Sequence, residues 1–450
     1  MNVTERLAQF VACTPPEAIP PEARLQARRA VLDTLGVALA GCREEAPRIV
    51  AAMAREQGGA PEALVLGHSL RAPAAEAALA NGVAAHALDF DDVSASMRGH
   101  PSAPLLPGLL ALGERLGASG RELTEAFVLG FEVECKLGRA IGEAHYALGW
   151  HATSTFGSIG AAAACARLLR LDAGRTRNAL GIAASLASGL RQNFGTMTKP
   201  LHAGRAAQNG VVAAQLAARG FTADALALEG ESGFLRAAAG GAETGGEAVV
   251  RHLGAPWEII EPGIGVKLYP CCYATHRAID AALEARGGSD PALAIDAIAV
   301  SVTPGTLIPL LPRPPATGLE AKFSLEYCVV AALLDGRVGR DAFADAAVQR
   351  PPVRDVMSRV QIVEVGERMN FPIEGIAEVR VTTPAGEISA RVETPRGDPK
   401  RPLSWDELAA KFRDCAAEVL PAGRVEKVIA LIERLDGLPD VRELTAVLAT

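Results

Sequence analysis

The sequence predicts a mainly helical protein with an α+β part inserted before its last helices. Three observations carry that expectation. Nearly half of the 450 residues are hydrophobic, and Ala and Leu, the strongest helix formers, dominate the apolar set. Aromatic residues make up only 4% of the chain, too few for a typical all-β sandwich. The hydrophobic period also changes from helical to alternating near residue 266 and returns to helical near 400. These boundaries predict a discontinuous helical domain over 1–265 and 397–450, with an α+β lid domain over 266–396 between its halves. The length suffices for sizeable cores without disulfide staples.

The elements follow in chain order. After Pro20-Pro21 a helix is expected over 23–40, with Ala30, Leu32, Leu35, Val37 and Leu39 on its apolar face. A second, over 74–88, ends at an Asp cluster. Ser119 and Glu122 have capping-box spacing and open a long helix through 143. Residues 153–169 carry Gly157, Gly160 and a run of Ala, small residues that allow close packing of a central helix. Helices over 176–190 and 203–219 continue the pattern. Ala297–Val302 then alternates like a strand, as does 360–365, with a helix over 321–334 between them. Segments 376–383 and 388–394 flank Pro384-Ala385-Gly386 and read as a β-hairpin. The linker TPRGDPKRP spans 394–402, and Ser404 with Glu407 caps the next helix.

Composition excludes several function classes. The net charge is -7, with acids and bases interspersed, and no basic stripe offers a nucleic-acid surface. No apolar run reaches membrane-spanning length and the N-terminus lacks a signal pattern, so no membrane partner is expected. Eight cysteines are scattered without a disulfide framework, which fits a soluble, cytoplasmic setting. Of 45 basic residues only 7 are Lys. Each Lys is therefore informative, because Lys can serve as a general base while Arg stays charged.

Four segments could carry chemistry. In 86–104, Asp89, Asp91 and Asp92 end a helix and lead to Arg98 and His100. A solvated turn, a hard-cation site, and an Asp orienting His100 beside an Arg98 carboxylate clamp all fit that spacing. In 142–160, His145, Tyr146 and His151 precede Thr153, Ser154 and Thr155 at a helix start, as in an anion pocket. In 193–210, Lys199 precedes Pro200, which disfavours a helical Lys199 and suggests an extended amine at the mouth of the next helix, near His202. In 267–276, Lys267 lies where the two textures meet, at an expected interdomain cleft. Cys271, Cys272 and His276 follow, but without the second ligand pair of a zinc site. Nucleotide motifs and the hydrolase elbow are absent.

These segments, HALDFDD with GHPSAP, GWHATSTFG, NFGTMTKPLHAGRAAQNG, KLYPCCYATH and EAKFSLEY, resemble in their order the successive signatures of the MmgE/PrpD family. The resemblance covers residues 20–340. That family includes 2-methylcitrate dehydratase, cis-aconitate decarboxylase and iminodisuccinate epimerase. It implies a large helical domain with a smaller α+β lid, a homodimer without cofactor, and proton abstraction next to a carboxylate of a small polycarboxylate; a metal-free site is expected because no ligand set reaches four residues with metal-like spacing. Carried over residue by residue, it implies an active site of Asp89, His100, His151, Lys199 and Lys267 with Tyr327 at its edge. Lys199, Tyr146, His100 and His151 are then the candidate catalytic residues. Asp89, Arg98, Lys267, Cys272, His276 and Tyr327 are the candidate substrate-binding ones. Val93 and Cys272 depart from the Thr and His of the decarboxylase pattern. The motif set is most similar to that of the epimerase members, whose proposed bases match Tyr146 and Lys199. Epimerisation or water elimination is the expected reaction, with decarboxylation, or a non-catalytic binding role, as the alternatives.

Overall fold

A computed structural model describes residues 2–242, 246–287, 294–367 and 374–450. Its helical part is organised around six helices: α1 (Pro21–Gly41), α2 (Ala74–His86), α3 (Ser102–Leu116), α4 (Gly120–Ile141), α5 (Ala152–Leu168) and α6 (Thr198–Ala218). Proline opens α1, where its missing N–H is tolerated. The Ser119–Glu122 capping box closes the start of α4 as expected. Helix α5 is buried along almost its entire length, so its run of Ala and Gly is packing surface on every side.

The small residues determine how closely the helices cross. A Cβ added to Gly82 of α2 would lie 2.6 Å from the Cα of Gly204 in α6, so these helices meet backbone to backbone. Gly82 is seven residues before Asp89 and Gly204 five after Lys199. The crossing therefore brings the C-terminal end of α2 against the start of α6.

The α+β part holds a four-stranded sheet of β1 (Ala297–Val302), β2 (Val360–Glu364), β3 (Ala377–Thr383) and β4 (Gly386–Val392), in the order β2-β1-β3-β4. The β1–β2 pair is parallel and the other two pairs are antiparallel. Ile298 and Val300 stand opposite Val381 and Val379, and these inward side chains are buried under α7 (His276–Arg286) and α8 (Leu325–Asp335). A separate two-stranded hairpin, Ala63–Val65 with Leu70–Ala72, lies in the helical part. One hydrophobic core draws on residues 3–266 and 403–448, the other on 269–392. Helix α9 (Trp405–Ala416) returns to pack on α1, where Lys411 meets Asp33 at 2.7 Å.

Two local differences from the sequence reading matter for the site. The helix expected through 143 stops at Ile141, because Gly142 adopts φ 67°, and Glu143–Ala147 forms a separate turn carrying His145 and Tyr146. Lys199 is helical rather than extended. Helix α6 begins at Thr198, and Pro200 sits in its first turn, where an N–H would have no helical partner. The bias of a pre-proline residue against helix is overridden by that placement.

Candidate active site

Asp89 is the centre of a buried ionic cluster. It follows the end of α2 with φ 51°, a left-handed conformation that costs a non-glycine residue on the order of 1–3 kcal/mol. One carboxylate oxygen accepts from Lys199 Nζ at 2.9 Å, the other from Lys267 Nζ, which also donates to the Asp89 carbonyl at 2.8 Å. Asp89, Lys199 and Lys267 are 3%, 4% and 0% exposed, so these charges face one another instead of water. Burial alone would raise the Asp89 carboxyl. The two ammonium groups outweigh it and hold the carboxyl well below its usual range. Burial would likewise lower Lys267, but Asp89 and Asp91 keep it above the ordinary ammonium value. The amine of Lys199 lies 5.2 Å from the ring centres of both Phe194 and Phe323.

The three clustered acids take three environments. Asp91 lies between two imidazoles, 2.8 Å from His86 Nδ1 and 3.3 Å from His100 Nδ1, and is held well below the usual range because these partners outweigh its burial. Among the described residues no cation forms an ion pair with Asp92. It accepts from the backbone and hydroxyl of Ser102 at the start of α3, and burial pushes its carboxyl well up. A turn cap and an Asp orienting His100 thus coexist in one motif.

Around this cluster the histidines form a packed row. His86 lies edge-on to His100, with centroids 4.5 Å apart, and stacks on His151 at 5.8 Å; His151 Nδ1 is 3.0 Å from His202 Nδ1. Burial lowers every one of them, His86 and His202 to about 4, and nearby lysines add to the effect, so the row is neutral near pH 7. The backbone of the His100 loop docks on the start of α5, where His100 N–H donates to Thr153 Oγ1 at 3.1 Å. Gly99 makes this possible, since a Cβ there would meet the Thr153 nitrogen at 2.9 Å.

A cavity of about 100 Å³ opens beside the cluster. Arg98, His100, Tyr146 and Cys272 line it together with Val93 and Tyr273. Arg98 also has a left-handed backbone, φ 55°, and its guanidinium lies 3.5 Å from Glu143. Burial pushes the Tyr146 phenol up and the Cys272 thiol to about 12, so neither ionises readily by itself. A larger cleft of about 800 Å³ is lined by Glu44, Lys322, Arg340 and Glu418 but by none of the expected site residues. Four of the candidate site residues, Arg98, His100, Tyr146 and Cys272, line the smaller cavity, and the Asp89 cluster lies behind His100, whose Nε2 is 3.6 Å from the Asp89 carboxylate.

Two candidate substrate-binding residues, Tyr327 and His276, lie neither in the cavity wall nor in the Asp89 cluster. Tyr327 is fully buried in the second core, where its hydroxyl donates to the Ala342 carbonyl and its ring packs 5.8 Å from Phe343. His276 is also fully buried, between Tyr269 and Tyr273, with Nε2 3.4 Å from the Cys271 carbonyl. Both are turned inward because they start or line helices of the second core. Among the described residues, His86, Asp91 and His100 form a group whose donor atoms lie within 4.8 Å of one another, close enough to share a cation. Asp91 is hydrogen-bonded to His86 Nδ1, whereas His100 Nδ1 lies 3.3 Å from its carboxylate without a hydrogen bond.

Sequence reasoning missed two residues. His86 has no role in the sequence reading, although it stands five positions before Asp91 in the same motif. Arg191 carried no signal. It lies in the short turn Arg191–Asn193, and its guanidinium stacks 3.6 Å from the centre of the Tyr146 ring.

Known proteins share this framework. The family model described as MmgE/PrpD N-terminal domain matches residues 5–246, and that described as MmgE/PrpD C-terminal domain matches 269–437. The chain is 33% identical to the cis-aconitate decarboxylase of Homo sapiens over 436 residues, 94% of this chain and 89% of the relative. It is 32% identical to the Mus musculus enzyme of that name over 438 residues, covering 94% and 88%. The cis-aconitate decarboxylase of Aspergillus terreus is 28% identical over 476 residues, 99% and 96% of the two chains.

Proposed function

The chain belongs to the MmgE/PrpD family, and from that premise we propose that it is a lyase or isomerase that breaks a C–H bond next to a carboxylate of a small di- or tricarboxylate. The observation that carries this reading is Asp89 held between two lysines beside a cavity walled by Arg98, His100 and Tyr146. Lys267 is committed to Asp89 as an ammonium, through two acceptor atoms. Lys199 has a single contact to that carboxylate and is the lysine free to exchange a proton. In this reading Lys199, an ammonium while it is paired with Asp89, first gives a proton to solvent; the C–H bond then breaks as its proton moves to the neutral Lys199 Nζ, and the electron pair spreads into the adjacent carboxylate. Lys267, Arg98 and the His100 ring supply the positive charge and donors that stabilise it. Asp89 keeps the two amines apart and aligned.

The outcome depends on where the next proton comes from. If Tyr146 delivers it to the opposite face of the carbon, the centre is epimerised. If His100 or His151 first takes up a proton, against the anionic substrate, and passes it to a leaving hydroxyl, water is eliminated. Decarboxylation is the second reading, favoured by the relatives named as cis-aconitate decarboxylases. Against it stand Val93 and Cys272, the two departures from the decarboxylase pattern, both of which line the cavity. No cofactor enters any of these steps. A homodimer in a reducing cytoplasm completes the reading. Its supports are the family resemblance and eight free cysteines, and a stable monomer by sedimentation at micromolar concentration would refute the dimer.

The test is a panel of small polycarboxylates incubated with the enzyme in deuterated water and followed by NMR. Deuterium entering next to a carboxylate, with inversion or loss of water, is the expected result. Release of carbon dioxide from cis-aconitate without prior stereochemical exchange would select the second reading. Absence of every one of these across the panel would leave the binding-protein alternative.

A further inference from the structure

The guanidinium of Arg191 has an arrangement that nothing in the mechanism above uses. Its Nη1 donates to the carbonyl of Tyr146 at 2.7 Å, and its Nη2 donates to the carbonyl of Ile308, across in the α+β part, at 2.8 Å. Its Cζ lies 3.6 Å above the centre of the Tyr146 ring. The backbone that carries it is also fixed, because Arg191 N–H donates to Gly149 O at 2.8 Å and His151 N–H to Gly189 O at 3.0 Å. Among the described residues no carboxylate forms an ion pair with Arg191, and its Nε is buried without a hydrogen-bond partner. A cation tied to two carbonyls, rather than to an acid, keeps its full field for the ring beneath it.

That ring belongs to the tyrosine on the cavity wall. A phenolate carries more negative charge into its π face than a phenol does, so a stacked guanidinium favours the ionised form more than the neutral one. Arg stays charged at any working pH, so the field is permanent. The Ile308 bond adds a condition: the guanidinium has both carbonyl partners only while the segment around Ile308 and Pro309, which also lines the cavity, is docked against the helical part.

We propose that Arg191 is a positioning residue that holds Tyr146 on the cavity wall and supplies the positive charge against which its phenol releases and regains a proton. The inference rests on the reading of Tyr146 as the second acid. In that step the Tyr146 O–H bond breaks, a C–H bond forms on the substrate, and the phenolate left behind faces Arg191 until it recovers the proton taken from the opposite face, through solvent. Burial by itself pushes the phenol up, and Arg191 is the largest influence acting in the other direction.

The experiment places a polyfluorinated tyrosine, whose phenol titrates several units lower than that of tyrosine, at position 146 of the full chain. Its ionisation is followed by absorbance and by fluorine NMR. Arg191→Met should raise the phenol pKa by about 1 unit or more, the size expected for losing an opposite charge at this distance. Arg191→Lys, which keeps charge but loses the planar stack and the double carbonyl tie, should fall between Met and the parent; it carries the test if the Met variant does not fold. An unchanged titration in a folded variant overturns the proposal. Catalysis is read separately on natural tyrosine. Arg191→Met should lower kcat at least ~10-fold with KM within about threefold, whereas a purely structural role would lower the folded fraction and leave the titration unmoved. If the titration shifts while Tyr146→Phe remains fully active, the acid role of Tyr146 fails although Arg191 still sets its ionisation.

Discussion

Two buried polar regions of this protein are built in opposite ways. Around His276 and Tyr327, inside the α+β part, the polar contacts come from near neighbours of the same core, and His276 Nδ1 has no hydrogen-bond partner. Tyr327 donates to Ala342 O, Cys271 Sγ meets Thr275 Oγ1 at 3.1 Å, and His276 turns to Cys271 O. Around Asp89 the partners come from 110 and 178 residues away, two residues hold left-handed backbones, and a cavity lies alongside. Distant charges brought onto one strained carboxylate next to open space set the Asp89 region apart, and such features are costly to build without a use.

The largest expected effect tests that contrast on the Asp89 side. Asp89→Ala leaves two buried ammonium groups without their carboxylate and should cost about 3–5 kcal/mol of stability, read by denaturant unfolding, along with turnover. Tyr327→Phe is the matching change on the other side. It removes one buried hydroxyl and strands the Ala342 carbonyl, so stability should fall by about 1–3 kcal/mol while turnover of the folded protein stays within about threefold. A large loss of kcat in folded Tyr327→Phe would return this residue to the active site.

A pH effect separates the regions further. His145 lies outside the Asp89 cluster, bonded to Thr155 Oγ1 at 3.0 Å, and burial pushes it to about 4, the value His86 also reaches inside the cluster. Unfolded histidine titrates near 6.5, so between about pH 6.5 and 4 the unfolded chain binds a proton that the folded one refuses. The stability each ring contributes is complete above that window and is lost as pH falls through it. His145→Gln should flatten the slope of unfolding free energy against pH in this window, by on the order of 2–3 kcal/mol over its width, without altering the pH dependence of catalysis. An unaltered slope would show that His145 is protonated in the folded state. The smallest expected effect is that of exhaustive chelation, which should leave turnover unchanged. Loss of activity restored by a divalent ion would make ligands of His86, Asp91 and His100.

Much of this was legible in the sequence, for reasons that differ from place to place. The Ser119–Glu122 capping box and the Ala297–Val302 alternation specify local structure through contacts a few residues long, and both form as expected. Pro200 misled because its local restriction on Lys199 gave way to the start of α6. The family resemblance groups Asp89 with Lys199, but their ion pair is not legible from the residues, since no spacing reveals a contact across 110 residues. Tyr327 and His276 lie in the second core, where a chemically suggestive segment makes core contacts. Arg191 was invisible because stacking on Tyr146 depends on two loops pinned by backbone bonds that side-chain identity does not encode.

Lys199→Arg tests the central claim most directly, because it keeps the positive charge but removes the amine able to take a proton. The measurement is the rate at which substrate hydrogen next to a carboxylate exchanges with deuterated water, alongside substrate affinity by calorimetry. The account predicts exchange slowed by ~10²–10⁴-fold with affinity nearly retained. Exchange at close to the wild-type rate in folded Lys199→Arg would contradict it.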